Sequence, residues 1–108
     1  MKRAVVVAVL AGLAARAHAD GDLCAPGTRH HGAAIDLDIK DADVHDVFRL
    51  LADVGHTNLV VAQEVAGKVT MRVKQVPWDT AACAVAALEH LTITVDGNIL
   101  LVRKADQK

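Results

Sequence analysis

The stretch Gly67-Lys-Val-Thr-Met-Arg-Val-Lys-Gln-Val-Pro-Trp-Asp79 constrains this chain most, because an alternating strand runs straight into a proline that opens a helix. Val69, Met71 and Val73 fall on one face and Lys68, Thr70, Arg72 and Lys74 on the other, the period of two of a half-buried strand. Pro77 then stands where a first helical turn leaves an amide unpaired anyway, and Asp79 where the helix dipole favours negative charge. Trp78, the single tryptophan, lies at the joint. Large aromatics bury about 150–250 Å², so it reads as a core anchor rather than a ligand contact.

The flanking segments follow the same grammar. Ile35, Leu37 and Ile39 alternate with Asp36, Asp38 and Lys40, which predicts a first strand with one wet face. Val44, Val47, Phe48, Leu51 and Val54 then recur in steps of three or four, widened by Leu50, and form one helical stripe. Asp43 suits the N-cap, Asp41 and Asp46 add negative charge near the helix start, and Gly55 is a natural stop. Asn58-Leu-Val-Val is a short β-rich run. The second helix is expected over Trp78 to about Glu89, with Ala81, Ala82, Val85 and Leu88 inward. Leu91, Ile93 and Val95 alternate again, Asp96-Gly97 signals a hairpin, and Asn98 to Val102 returns as a last strand. The order βαββαββ implies an α+β domain with helices packed on small sheets. Val47, Leu51, Met71, Trp78 and Val85 are its expected core anchors.

The N-terminus has a different logic. Met1-Lys2-Arg3 is basic, Ala4 to Ala15 is apolar, and Ala17-His18-Ala19 is an Ala-x-Ala site, so residues 1–19 read as a secretory signal peptide with Asp20 starting the mature chain. The apolar run is shorter than the roughly 20 residues that span a bilayer, so no integral membrane segment is expected after processing. Residues 20–34 hold three Gly and one Pro without a period and are read as an irregular tail; 35–104 form the domain and 105–108 a C-terminal tail. Removing the leader leaves nine basic against thirteen acidic side chains, a net charge of −4. Such a surface gives no general attraction to nucleic acid or anionic lipid. Two cysteines in an exported chain invite pairing. Cys24 in the tail and Cys83 in the second helix would bond only if their Cα atoms come within about 7 Å. Two free thiols and an intermolecular link remain the alternatives.

Catalytic constellations are scarce. The sequence has no serine, which removes the serine hydrolases, and it has no Gly-rich phosphate loop. Cys83 and His90 share a helix, but seven residues separate them by roughly 10 Å along its axis, too far for proton transfer. Five histidines follow the leader: His30, His31, His45, His56 and His90. His45 and His56 lie roughly 16 Å apart at opposite ends of the first helix and cannot share an ion. His30 and His31 would need two further ligands. No catalytic residue, metal or cofactor is expected.

Over residues 35–102 the sequence resembles the secretin and TonB short N-terminal domain. The resemblance rests on Ile35-Asp-Leu-Asp-Ile-Lys-Asp-Ala-Asp-Val-His-Asp-Val-Phe-Arg-Leu-Leu-Ala-Asp-Val, then Asn58-Leu-Val-Val, Gly67-Lys-Val-Thr-Met-Arg-Val, Val76-Pro-Trp-Asp and Asp96-Gly-Asn-Ile, in the family's order and spacing. Ala82 stands where the family often has a larger aliphatic residue, and His90 where a helix-ending glycine is common. The expected architecture is two helices packed between a three-stranded mixed sheet and a two-stranded hairpin. In secretins this domain stands first in the periplasmic portion and contacts inner-membrane parts of the machine; in TonB-dependent transducers it signals toward an anti-sigma regulator. A secretin would continue past Lys108 into further domains and a pore, so an adaptor or assembly module is expected rather than a channel.

The resemblance implies a non-enzymatic, periplasmic protein-interaction module whose partner belongs to a secretion, pilus or TonB system, associated with an outer-membrane complex. In the family-like alignment Cys83 faces outward, so the tail cysteine reaches it without entering the core. The expected docking surface is the outer face of the first sheet, with Asp36 and Asp38 on one strand and Lys68, Arg72 and Lys74 on the other. The rival reading is a small periplasmic ligand- or metal-binding protein with a pocket between the helices and the shorter sheet.

Overall fold

In the computed structural model, residues 21–105 are described; the leader, Asp20 and the last three residues lie outside the described residues. The elements are β1 (Gly21–Asp22), β2 (Ala34–Asp43), α1 (Val44–Val54), β3 (Asn58–Val61), β4 (Lys68–Pro77), α2 (Trp78–Glu89), β5 (Leu91–Asp96) and β6 (Ile99–Lys104). One sheet has the order β1-β5-β6-β3, antiparallel except for the parallel β6–β3 pair. The other is the antiparallel ribbon β2–β4. Helix α1 touches the ribbon and β3, α2 touches β4 and β5, and the helices touch each other, so both lie between the sheets.

The α+β class is as expected, with two differences of detail. The larger sheet has four strands rather than three, because Gly21–Asp22, in the stretch read as irregular, pairs with Val95 and Thr94 of β5. A two-residue strand has no period to read; Gly21 takes φ 136°, a conformation glycine reaches without a Cβ clash. The smaller sheet joins strands that are not consecutive, since α1 and β3 intervene between β2 and β4.

Each ribbon strand passes into its helix without a loop. Asp43 ends β2 and caps α1, its carboxylate accepting from the His45 amide at 2.8 Å. Such a cap is worth about 1 kcal/mol. Asp41, expected in the helix approach, lies inside β2 with φ 54°. Pro77 ends β4 and occupies the N-cap position of α2 rather than its first turn. The Trp78 amide donates to the Ala33 carbonyl at 3.0 Å, holding the start of α2 against the start of β2.

The core is one cluster that includes Val44, Val47, Phe48, Leu51, Val85, Ile93 and Val102. Side chains of this size each contribute about 1.5–3 kcal/mol when fully buried. Val47, Leu51 and Val85 are buried, while Met71 and Trp78 are half-buried and pack against the cluster. Two leucines depart from the expected faces: Leu50 is 42% exposed and Leu88 60%. Leu50 lies at the edge of the α1 stripe. In α2, Ala81, Ala82 and Ala86 with Val85 fill the buried positions, and Leu88, the one leucine of the helix, is left outside.

Trp78 sits in a slot made by two glycines. A β-carbon added at Gly32 or at Gly55 would overlap the indole. Gly55 itself takes an ordinary right-handed conformation (φ −81°), so its role is to admit the ring, not to reverse the chain. The left-handed residue that ends α1 is His56 (φ 54°), with its amide bonded to Asp53 O and the Thr57 amide to Ala52 O, a Schellman pattern. Helix α2 likewise ends on a left-handed histidine, His90 (φ 58°, ψ 54°).

Candidate functional site

The ribbon carries the expected docking residues. Its register opposes Leu37 to Val73, Asp38 to Arg72 and Ile39 to Met71, with an irregularity on each side. On one side Asp36 faces the two residues Lys74 and Gln75; on the other, Lys40 and Asp41 face Thr70. These are β-bulges, one in each strand, and each holds a non-glycine residue in the left-handed region: Gln75 at φ 56° and Asp41 at φ 54°. The amide of each is taken by the side chain across the ribbon. Asp36 Oδ1 accepts from the Gln75 amide at 2.8 Å, and Thr70 Oγ1 accepts from the Asp41 amide at 3.1 Å. The second bulge restores the register that the first displaces, and together they increase the twist of the ribbon.

The consequence is a shallow cavity of about 170 Å³ on the outer face, lined by Asp36, Leu37, Asp38, Arg72, Val73 and Lys74. The structure thus brings four of the five expected residues around one depression. Lys68 stands apart, opposite Asp43 at the far end of the ribbon. All five are exposed. Asp36 has a structural task that the alternation of β2 did not disclose, because a bulge acceptor looks like any outward carboxylate. Among the described residues the one ion pair is Arg49–Asp46, both well exposed, so Arg72, Lys68 and Lys74 hold no carboxylate within 4.0 Å.

Behind the ribbon lies a second depression of about 290 Å³ between β4 and α2, lined by Val69, Thr70, Met71, Val73, Ala84, Val85 and Leu88. It occupies the place where a ligand-binding reading puts its pocket. Sequence reading missed it because Leu88 was assigned inward; turned out, this side chain walls the groove.

The tail is fixed to α2. Cys24 and Cys83 form a disulfide with Cα atoms 5.5 Å apart. His30 bridges the same contact: Nδ1 lies 3.1 Å from Thr80 Oγ1, and Nε2 lies 3.0 Å from the Leu23 carbonyl. His30 is therefore an internal strut and not a loose tail histidine. His45 Nε2 bonds the Val65 carbonyl at 2.6 Å. Among the described residues no three metal-ligating side chains converge, and no helix is long and apolar enough to cross a membrane.

No family model matches the chain. The fimbrial assembly protein PilQ of Pseudomonas aeruginosa is 40% identical over 76 residues, which is 70% of this chain and 11% of that protein. The N0 domain of the type II secretin from enterotoxigenic Escherichia coli superposes with a TM-score of 0.61 at 16% identity, over 67% of this chain and 95% of that one. The type IV competence pilus secretin PilQ of V. cholerae gives 0.57 at 34% identity, over 63% of this chain and 16% of that one. The chain spans about a tenth of the length of the curated relatives it matches.

Proposed function

This chain belongs to the secretin N-terminal domain family, and from that premise we propose that it works in the periplasm as a non-enzymatic docking module of a pilus or secretion apparatus. One observation supports this reading above the others: the twisted ribbon presents Asp36, Asp38, Arg72 and Lys74 around one exposed depression. The uncompensated cations of β4 do little for the fold, since exposed charge pairs are worth about 0–1 kcal/mol. They are well suited to steering a complementary protein. The same exposed and polar character supports an adaptor role over that of a fixed structural part, because it suits a contact that forms and releases.

The groove between β4 and α2 bears on the rival, ligand-binding reading. A small-molecule site combines apolar walls with a few convergent polar groups, and here the Thr70 hydroxyl is the one side-chain hydrogen-bonding group among the lining residues. The lining fits an aliphatic side chain of a docked protein better than a polar metabolite.

The test is capture of the periplasmic partner by the wild-type chain and by the double variant Arg72→Gln with Lys74→Gln. Neutral replacements are chosen because Arg72→Glu would set two carboxylates opposite each other at Asp38. The melting curve should stay nearly unchanged, capture should weaken, and wild-type capture should fall as salt rises. Undiminished capture by the double variant at low salt contradicts the assignment.

A further inference from the structure

The exposed strand edges of this molecule are not alike. The ribbon is protected on both strands by bulges and outward charge, two devices that discourage unwanted strand pairing. At one end of the larger sheet the edge belongs to β1, two residues long and followed by the disulfide-bonded Cys24. At the other end stands β3, Asn58-Leu59-Val60-Val61, which has no charge, no Pro, no Gly and an unbroken register with β6. Val60 is 49% exposed, and beside it on the same outer face lie its register neighbour Leu101 and, two residues earlier on β6, Ile99, 36% exposed.

We infer that β3 pairs antiparallel with β3 of a second copy, Val60 meeting Val60 on the two-fold axis. The backbone sets this register. The Asn58 amide bonds Asn98 O and the Ala62 amide bonds Val102 O, so the even-numbered amides of β3 point to β6. Leu59 and Val61 therefore turn their N–H and C=O groups to the open edge, with no backbone partner there among the described residues. In a pair centred on Val60, Leu59 faces Val61 of the other copy and exchanges both bonds, twice by symmetry, while the two Val60 side chains meet as a close, non-hydrogen-bonded pair. Inward residues stay inward and outward residues outward, and the apolar patch of Val60, Leu101 and Ile99 is doubled into one surface.

Charge selects a second copy as the occupant. An edge strand pairing with itself sets identical side chains close across the axis, and like charges directly opposite are destabilising. β3 has none. The cation-rich β4 edge would suffer that repulsion, so it suits a different protein of opposite sign. The contact is small compared with the roughly 1,200 Å² at which stable interfaces begin, so the free chain dimerises weakly.

Sedimentation velocity on the purified chain, at concentrations rising to about 1 mM, should show a monomer–dimer equilibrium, the weak association expected of so small an interface. Val60→Lys should raise the dissociation constant at least about tenfold while leaving the melting midpoint in place. Val60→Cys should give a disulfide-linked dimer under oxidation, whereas Asn58→Cys, whose register partner is Ala62, should not. A chain that stays monomeric throughout the range overturns the inference. So do a dimer indifferent to Val60→Lys and equal cross-linking at the two positions.

Discussion

Along the β2–β4 ribbon every outward position from 36 to 40 and from 68 to 74 is charged or polar, and each strand is broken by a left-handed bulge. Strand β3, at the far side of the helices, is short, regular and neutral, with Val60 exposed on its outer face. Both regions leave backbone groups unpaired, yet only the ribbon carries the features that keep one strand from adding to another at random. The difference teaches that an edge can be selective by charge and twist, which favours an unlike partner, or permissive by neutrality, which admits a like one. Helices α1 and α2 hold the two regions apart on one core, so each can be altered while the other serves as its control.

The largest effect should come from the support common to both. Replacing Cys24 and Cys83 with alanine opens a loop with a sequence separation of 59, for which chain entropy predicts a loss of about 4 kcal/mol. The loss should appear in urea melts. It should also release β1 and thereby bare the β5 edge, so hydrogen exchange should quicken most at the β1–β5 pairing. Leu51→Ala should cost about 3 kcal/mol, because this side chain is fully buried in the core cluster, and Leu50→Ala should cost much less. Similar melts for the two variants would place the wrong face of α1 against the core.

Smaller changes should separate the ribbon's structure from its surface charge. Asp36→Ala removes the acceptor that holds the Gln75 amide and should cost about 1 kcal/mol, whereas Asp38→Ala, with no such bond, should stay within a few tenths. Equal costs would mean that the bulge does not depend on Asp36. Smaller still, His56→Gly and His90→Gly should each raise stability by about 0.5 kcal/mol, since both side chains endure a left-handed backbone that glycine adopts freely. A drop in the thermal midpoint at either position would show that the imidazole makes a compensating contact.

Much of this architecture could be read from the residues. The stripe of α1, the alternation of β2 and β4 and the joint at Trp78 are regular over enough positions for periodicity to identify them, and His90 stood where a left-handed helix end was required. The parts that escaped share a physical cause. Asp41 and Gln75 adopt a conformation normally announced by glycine, so nothing in their identity marks a bulge. Helix α2 is so rich in alanine that several faces are equally plausible, and Leu88 fell on the wrong one. The short apolar run of β3 reads alike at the edge and at the centre of a sheet, so its exposed face became visible only with the strand order. Of the candidate docking residues, sequence supplied the alternation, while the pairing of β2 with β4 supplied the clustering.

Amide chemical-shift mapping on the full chain, titrated with the captured periplasmic partner and separately by self-concentration, tests the division of labour most directly. The partner should perturb Asp36 to Lys40 and Met71 to Lys74 and leave Asn58 to Ala62 untouched; concentration alone should do the reverse. Partner-induced shifts centred on Asn58 to Ala62, with a silent ribbon, would contradict the account.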